Sequence, residues 1–154
     1  MLTSMAYKLV FPAPQNGMPF IWNVSAHVGW GVEHPNRPTD VELVQFLLSE
    51  LTKKGVVGRT ANGAAKSPPI QVNGRFDPVI GFWIWFAQDS PSLKTETIDG
   101  IVSPAKGMSY GGGKWLIAKL NFSYKQHFPN DWQNLNSDTR LSSALRADLS
   151  KTTP

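Results

Sequence analysis

Two short frames constrain the course of this chain more than anything else in it. They are Val72-Asn73-Gly74-Arg75-Phe76-Asp77-Pro78 and Ile98-Asp99-Gly100-Ile101-Val102-Ser103-Pro104. Asn-Gly and Asp-Gly pairs make tight turns because glycine takes positive φ without a steric penalty. A proline shortly after such a turn suits the first position of a helix. A chain that carries this x-x-G-x-x-x-P frame twice has to turn sharply twice, and we expect each frame to introduce a helix.

The segments between the turns have their own periods. From Thr39 onward, Val41, Val44, Leu48 and Leu51 recur at helical spacing, and Thr39 with Glu42 fits the S/T-x-x-E capping box. Asp77 before Pro78 reads as the N-cap of a second helix reaching about Gln88. That helix is apolar all round from Phe82 to Phe86, which means either central burial or one face held out for a partner. Residues 115–128 suit a third helix ending before Pro129. A last helix is expected from a Ser137 or Asp138 cap, with Leu141, Leu145 and Leu149 on one face. Upstream, residues 6–32 are β-branched and aromatic and are broken by Pro and Gly, so they read as two short strands or an extended arm. Residues 52–71 carry four basic groups and no period, and they read as an exposed loop. The expected layout is an extended segment over 1–35, a helical domain over 36–128, and a C-terminal helix and tail over 129–154.

Composition sets outer bounds. The chain has 154 residues, of which 41% are hydrophobic and 17% charged, enough for one domain with a real core. The net charge of +4 comes from scattered residues with no basic run, so a dedicated nucleic-acid arm is not expected. There is no cysteine, hence no disulfide, thiolate nucleophile or Cys-based zinc site. No stretch approaches the roughly 18 apolar residues of a membrane span. The apolar run before Pro12 is also too short for a secretory signal. Synthesis in the cytoplasm is the expectation, with action at the wall or periplasm after non-classical delivery, or as part of a phage or injection particle.

Three blocks together carry a resemblance. Val41, Val44, Gln45 and Leu48 fit V-x-x-V/L-Q-x-x-L. Val72, Gly74, Phe76 and Pro78 fit V-D-G-x-F-G-P, with Gln88 at the distance of a closing glutamine. Asp99, Gly100, Val102 and Pro104 fit a second D-G-x-V, and Leu120-Asn121 resembles a closing L-N. Over residues 36–122 the chain therefore resembles the helical peptidoglycan-binding domains. It departs from their pattern at Asn73, Asp77, Ile80 and Ala87. The resemblance implies a mainly α fold: a three-helix bundle with a short N-terminal β or extended segment and an extra C-terminal helix. It also implies a non-catalytic module that binds or anchors to peptidoglycan, through the glycan strand or the stem peptide. The alternative is a structural adaptor of a phage tail or contractile injection system, with a carrier or tail protein as its partner.

Sugar rings are held by aromatic faces, and stem-peptide carboxylates by cations and N–H donors. Asn73, Arg75, Trp83, Trp85 and Tyr110 are the expected ligand-binding residues. Residues two apart on a helix diverge, so at most one of Trp83 and Trp85 is expected to share a groove with Arg75. No cofactor or metal is expected, because His27, Glu33 and His34 do not fit H-E-x-x-H. No catalytic residue is expected either. Of the carboxylates Glu33, Glu42, Glu50 and Asp77, two already read as caps, and no serine has a G-x-S-x-G context.

Overall fold

The computed structural model describes residues 5–31, 33–57, 68–106 and 114–154. The chain opens with an antiparallel hairpin of β1 (Tyr7–Gln15) and β2 (Met18–Asn23). Asn16 and Gly17 turn it with φ of +51° and +76°, the left-handed pair that suits the twist of a two-residue hairpin loop. β3 (Val28–Gly29) precedes the long helix α1 (Pro38–Lys53), and α2 (Pro78–Asp89) follows. β4 (Ile101–Val102) pairs antiparallel with β3, Val28 facing Val102. Then come α3 (Leu116–His127), the short α4 (Pro129–Gln133), a 3-10 turn over Leu135–Ser137, and α5 (Ser143–Leu149).

The expected mainly α three-helix bundle is corrected by this arrangement. Among the described residues the fold is mixed α/β, with five α-helices and a 3-10 turn (42% helical) and two small antiparallel sheets (14% strand). The second glycine turn explains part of the difference. The residues after Gly100 are the β-branched pair Ile101 and Val102, and they enter a ladder with Val28–Gly29 where the repeated frame predicted a helix. Pairing between residues more than seventy positions apart leaves no trace in a local period.

α1 is the axis of the molecule. Every residue from Thr39 to Leu51 is buried, and α1 packs against α2, α3, α5 and β3. Val41, Val44, Leu48 and Leu51 are fully buried, as their spacing predicts. The Thr39–Glu42 capping box is not formed. The N-cap position is Arg37, without a side-chain cap, and Thr39 lies inside the first turn. Glu42 reaches instead to α5, accepting the Ser142 N–H at 2.8 Å and the Ser142 hydroxyl at 2.6 Å. Ser142 in turn caps α5 by accepting from Leu145 N, so this helix starts later than a Ser137 or Asp138 cap would place it. Asp138 is taken by Arg140, which also bonds Glu50 of α1 at 2.6 Å and lies over the Phe46 ring. The Arg140 guanidinium holds the Asp138 carboxyl below its usual range. Leu141, Leu145 and Leu149 are buried on one side, as predicted.

Because α1 is enclosed on all sides, its polar side chains must find partners inside. Asp40 accepts from Ser25 N, Ser25 Oγ and Ala26 N at 2.8–3.2 Å and so fixes the chain as it leaves β2. Burial pushes its carboxyl from 3.8 up to about 6, with these hydrogen bonds and Arg37 pulling the other way. Between those values the folded chain holds a proton that the unfolded chain has released. This group's stabilisation is therefore complete below about 3.8 and is lost as pH rises through 6. Urea unfolding of wild type and Asp40→Asn at several pH values tests this. The stability of wild type relative to the variant should fall between pH 4 and 7, by up to about 3 kcal/mol. A difference that stays flat across that range contradicts it.

Candidate functional site

The two glycine turns are built alike, atom for atom. Gln45 Oε1 accepts from Asn73 N at 3.0 Å and Gly74 N at 2.8 Å, and its Nε2 donates to Asn73 Oδ1 and Arg75 O. Gln88 Oε1 accepts from Asp99 N at 3.2 Å and Gly100 N at 2.7 Å, and its Nε2 donates to Asp99 Oδ1 and Ile101 O. In each turn the first residue's Oδ1 also accepts from the N–H two positions on, Arg75 N or Ile101 N. Gly74 and Gly100 sit at φ of +76° and +73°. A methyl carbon on Gly74 would come within 3.1 Å of the Pro38 carbonyl oxygen, so the turn lies directly against the start of α1.

The first turn leads into α2, and the second leads into β4, which packs beside α2. Asp77 accepts from Ile80 N at 3.0 Å, and Pro78 takes the first helical position, as the sequence predicts. Along α2 the apolar run divides by face. Trp83, Ile84 and Ala87 point inward, whereas Phe82 and Trp85, one helical turn apart, are 52% and 45% exposed. A third outward ring comes from elsewhere: Trp30, between Gly29 and Gly31, is 44% exposed. Its indole lies flat on α2 at Gly81, where a methyl carbon would sit 2.5 Å from the ring. Trp30 packs edge-to-face on Phe76 at 5.5 Å and on Phe82 at 6.0 Å. Phe86 continues the series, 6.3 Å from Phe82 and 5.7 Å from Trp85. The result is an aromatic shelf running Phe76, Trp30, Phe82, Phe86, Trp85.

The loop that presents Trp30 is tied down. Asn36, itself at φ +43°, accepts from Gly29 N at 2.8 Å and donates to Gly29 O at 2.9 Å, closing the loop across its neck. His27 packs edge-to-face on His34 and meets Ser103 Oγ at 3.0 Å, while His34 lies 3.4 Å from Glu33. Among the described residues no group of three His, Asp or Glu is placed to hold a metal ion. The remaining carboxylates singled out in the sequence have structural partners: Glu42 with Ser142, Glu50 with Lys53 and Arg140, and Asp77 with Ile80 N.

The expected ligand residues separate accordingly. Asn73 forms the first turn and bonds Gln45. Arg75 is exposed next to Phe76, and its backbone is held by the same clamp. Trp83 is buried and donates Nε1–H to Pro68 O at 2.8 Å, so it belongs to the core. Trp85 is on the shelf. Tyr110 lies outside the described residues. Trp30 and Phe82 were not among the expected residues. The i, i+3 spacing of Phe82 and Trp85 was available as a signal, but nothing local marks Trp30 as their neighbour. The chain matches no family model, no curated protein and no solved structure. No helix of the described residues is long and apolar enough to cross a membrane.

The division of α2 predicts unequal costs. Trp83→Ala should destabilise by about 4 kcal/mol through its cavity and the lost bond to Pro68. Phe82→Ala and Trp85→Ala should each cost about 1 kcal/mol or less. Thermal or urea unfolding of the three variants reads this directly, and equal losses would contradict the inward and outward assignment.

Proposed function

We propose that this protein is a non-catalytic module that binds the bacterial cell wall. The observation that carries the reading is the pair of clamped turns. The resemblance to peptidoglycan-binding domains rests on Gln45, the Asn73-Gly74 turn, Gln88 and the Asp99-Gly100 turn. In the structure each glutamine holds the turn that follows it, by the same set of bonds. Residues that look like unrelated motif matches along the chain thus form one repeated device, and that device positions α2 and its aromatic shelf. A rigid shelf with exposed rings suits stacking recognition of a polymer that offers many weak, repeated contacts. Arg75, exposed and next to Phe76 in the chain, is the candidate cation for a wall carboxylate.

Co-sedimentation with purified sacculi tests the proposal. The full chain should pellet with the wall material and be released by soluble wall fragments. The double variant Arg75→Ala, Trp85→Ala should shift substantially to the supernatant while keeping its circular dichroism. Wild-type protein that stays in the supernatant at every sacculus concentration would overturn the reading.

A further inference from the structure

Resting on the wall-binding reading, we propose that the recognised moiety is the sugar backbone, stacked on Trp30, Phe82 and Trp85, and that the stem peptide does not occupy this face. Charge favours the sugar. α2 has no charged residue between Asp77 and Asp89, and its exposed side chains between Pro78 and Asp89 are Phe82 and Trp85, with Val79 and Phe86 half-buried. Between Pro78 and Asp89 the helix itself offers a peptide carboxylate no cation, and the basic residue nearest to it in the chain is Arg75, before Phe76. The C–H face of a neutral pyranose, by contrast, is complementary to the electron-rich face of an indole or phenyl ring.

The exposed area is small. Three half-exposed rings offer on the order of 300 Å², against roughly 800 Å² per partner for a stable protein interface. A second copy of the chain or a folded partner would gain too little there, whereas a short run of sugar rings fits the patch. The shelf is also held in place before any ligand arrives. Trp30 is braced by Phe76, Phe82 and Gly81, and its loop is closed by Asn36 on Gly29. Little ordering remains to be done when a ligand arrives. The same loop carries two exposed polar side chains, His27 and Glu33. Gly81 is then a positioning residue, because only a residue without Cβ lets the indole lie on the helix.

The test titrates the full chain with the β-1,4-linked tetramer of N-acetylglucosamine and, separately, with a stem pentapeptide ending in D-Ala-D-Ala. Tryptophan fluorescence and amide shifts report binding. The sugar tetramer should perturb the Trp30, Phe82 and Trp85 resonances, and the peptide should leave them unchanged. Trp30→Ala should weaken tetramer binding by about tenfold, and Phe82→Ala or Trp85→Ala severalfold. Gly81→Ala favours the helix, so it should keep the fold, yet it should displace the indole and weaken binding as much as Trp30→Ala. Retention on sacculi with peptide binding and no response to the tetramer would overturn this inference and leave the wall-binding reading in place. Loss of sacculus binding together with the tetramer response would end both. Concentration-dependent dimerisation that shields Trp30, or transfer of the shelf onto lipid vesicles, would also overturn it.

Discussion

Side-chain carboxamides that take the place of backbone partners hold this protein together. Among the described residues five of them, each on a different stretch of chain, bond both the N–H and the C=O of peptide groups elsewhere. Gln45 and Gln88 clamp the two glycine turns. Asn36 brackets Gly29. Asn23 bonds Ala105 N and O. Asn121, fully buried, bonds Trp22 N and O and accepts from Trp132 Nε1. A chain with two short sheets leaves many peptide groups outside regular ladders, and buried peptide groups without partners cost about 1–3 kcal/mol each. The carboxamides satisfy those groups in place of a larger sheet, and they fix loops at set positions on the helical core.

α1 organises the other side of this arrangement. Its buried polar residues reach outward in different directions, Asp40 to the end of β2, Glu42 to the cap of α5, Gln45 to the first turn and Glu50 to Arg140. One apolar cluster therefore runs from Phe11 and Met18 in the hairpin through α1 to Leu145 and Leu149 near the end of the chain. In that cluster Phe20 stacks on Trp132 at 4.6 Å, which joins the hairpin to α4. The shelf depends on this framework. Trp30 keeps its position because the first turn places Phe76, the second places Gly100 beside the indole, and Asn36 closes the loop.

What could be read from the sequence was local and periodic. The α1 stripe, the Asp77-Pro78 start of α2, the N-terminal strand pair and the leucine face of the last helix all follow from spacing and turn chemistry within a few residues. What could not be read was decided by distant partners. Glu42 fits a capping box with Thr39 in sequence, but a hydroxyl and an N–H one hundred residues away compete for the same carboxylate and win. Ile101 and Val102 became a strand because Val28 and Gly29 offered a free edge. The repeated glycine frame correctly marked both turns, and it failed on the element that follows the second one. Of the residues named from the sequence, Asn73 belongs to the turn, Trp83 is core and Trp85 faces outward, and only the divergence of the two tryptophans followed from helical spacing. Trp30 joins the shelf only through tertiary packing on Gly81.

Amide hydrogen exchange at the two turns is the most direct measure of this account. The N–H groups of Asn73, Gly74, Asp99 and Gly100 lie outside any helix or strand, yet each donates to a glutamine side chain anchored in a helix. If the clamps are what hold the fold, these four amides exchange only with opening of the core, at rates matching those of α1. Exchange at the rates of unprotected loop amides, with α1 still protected, would contradict the account.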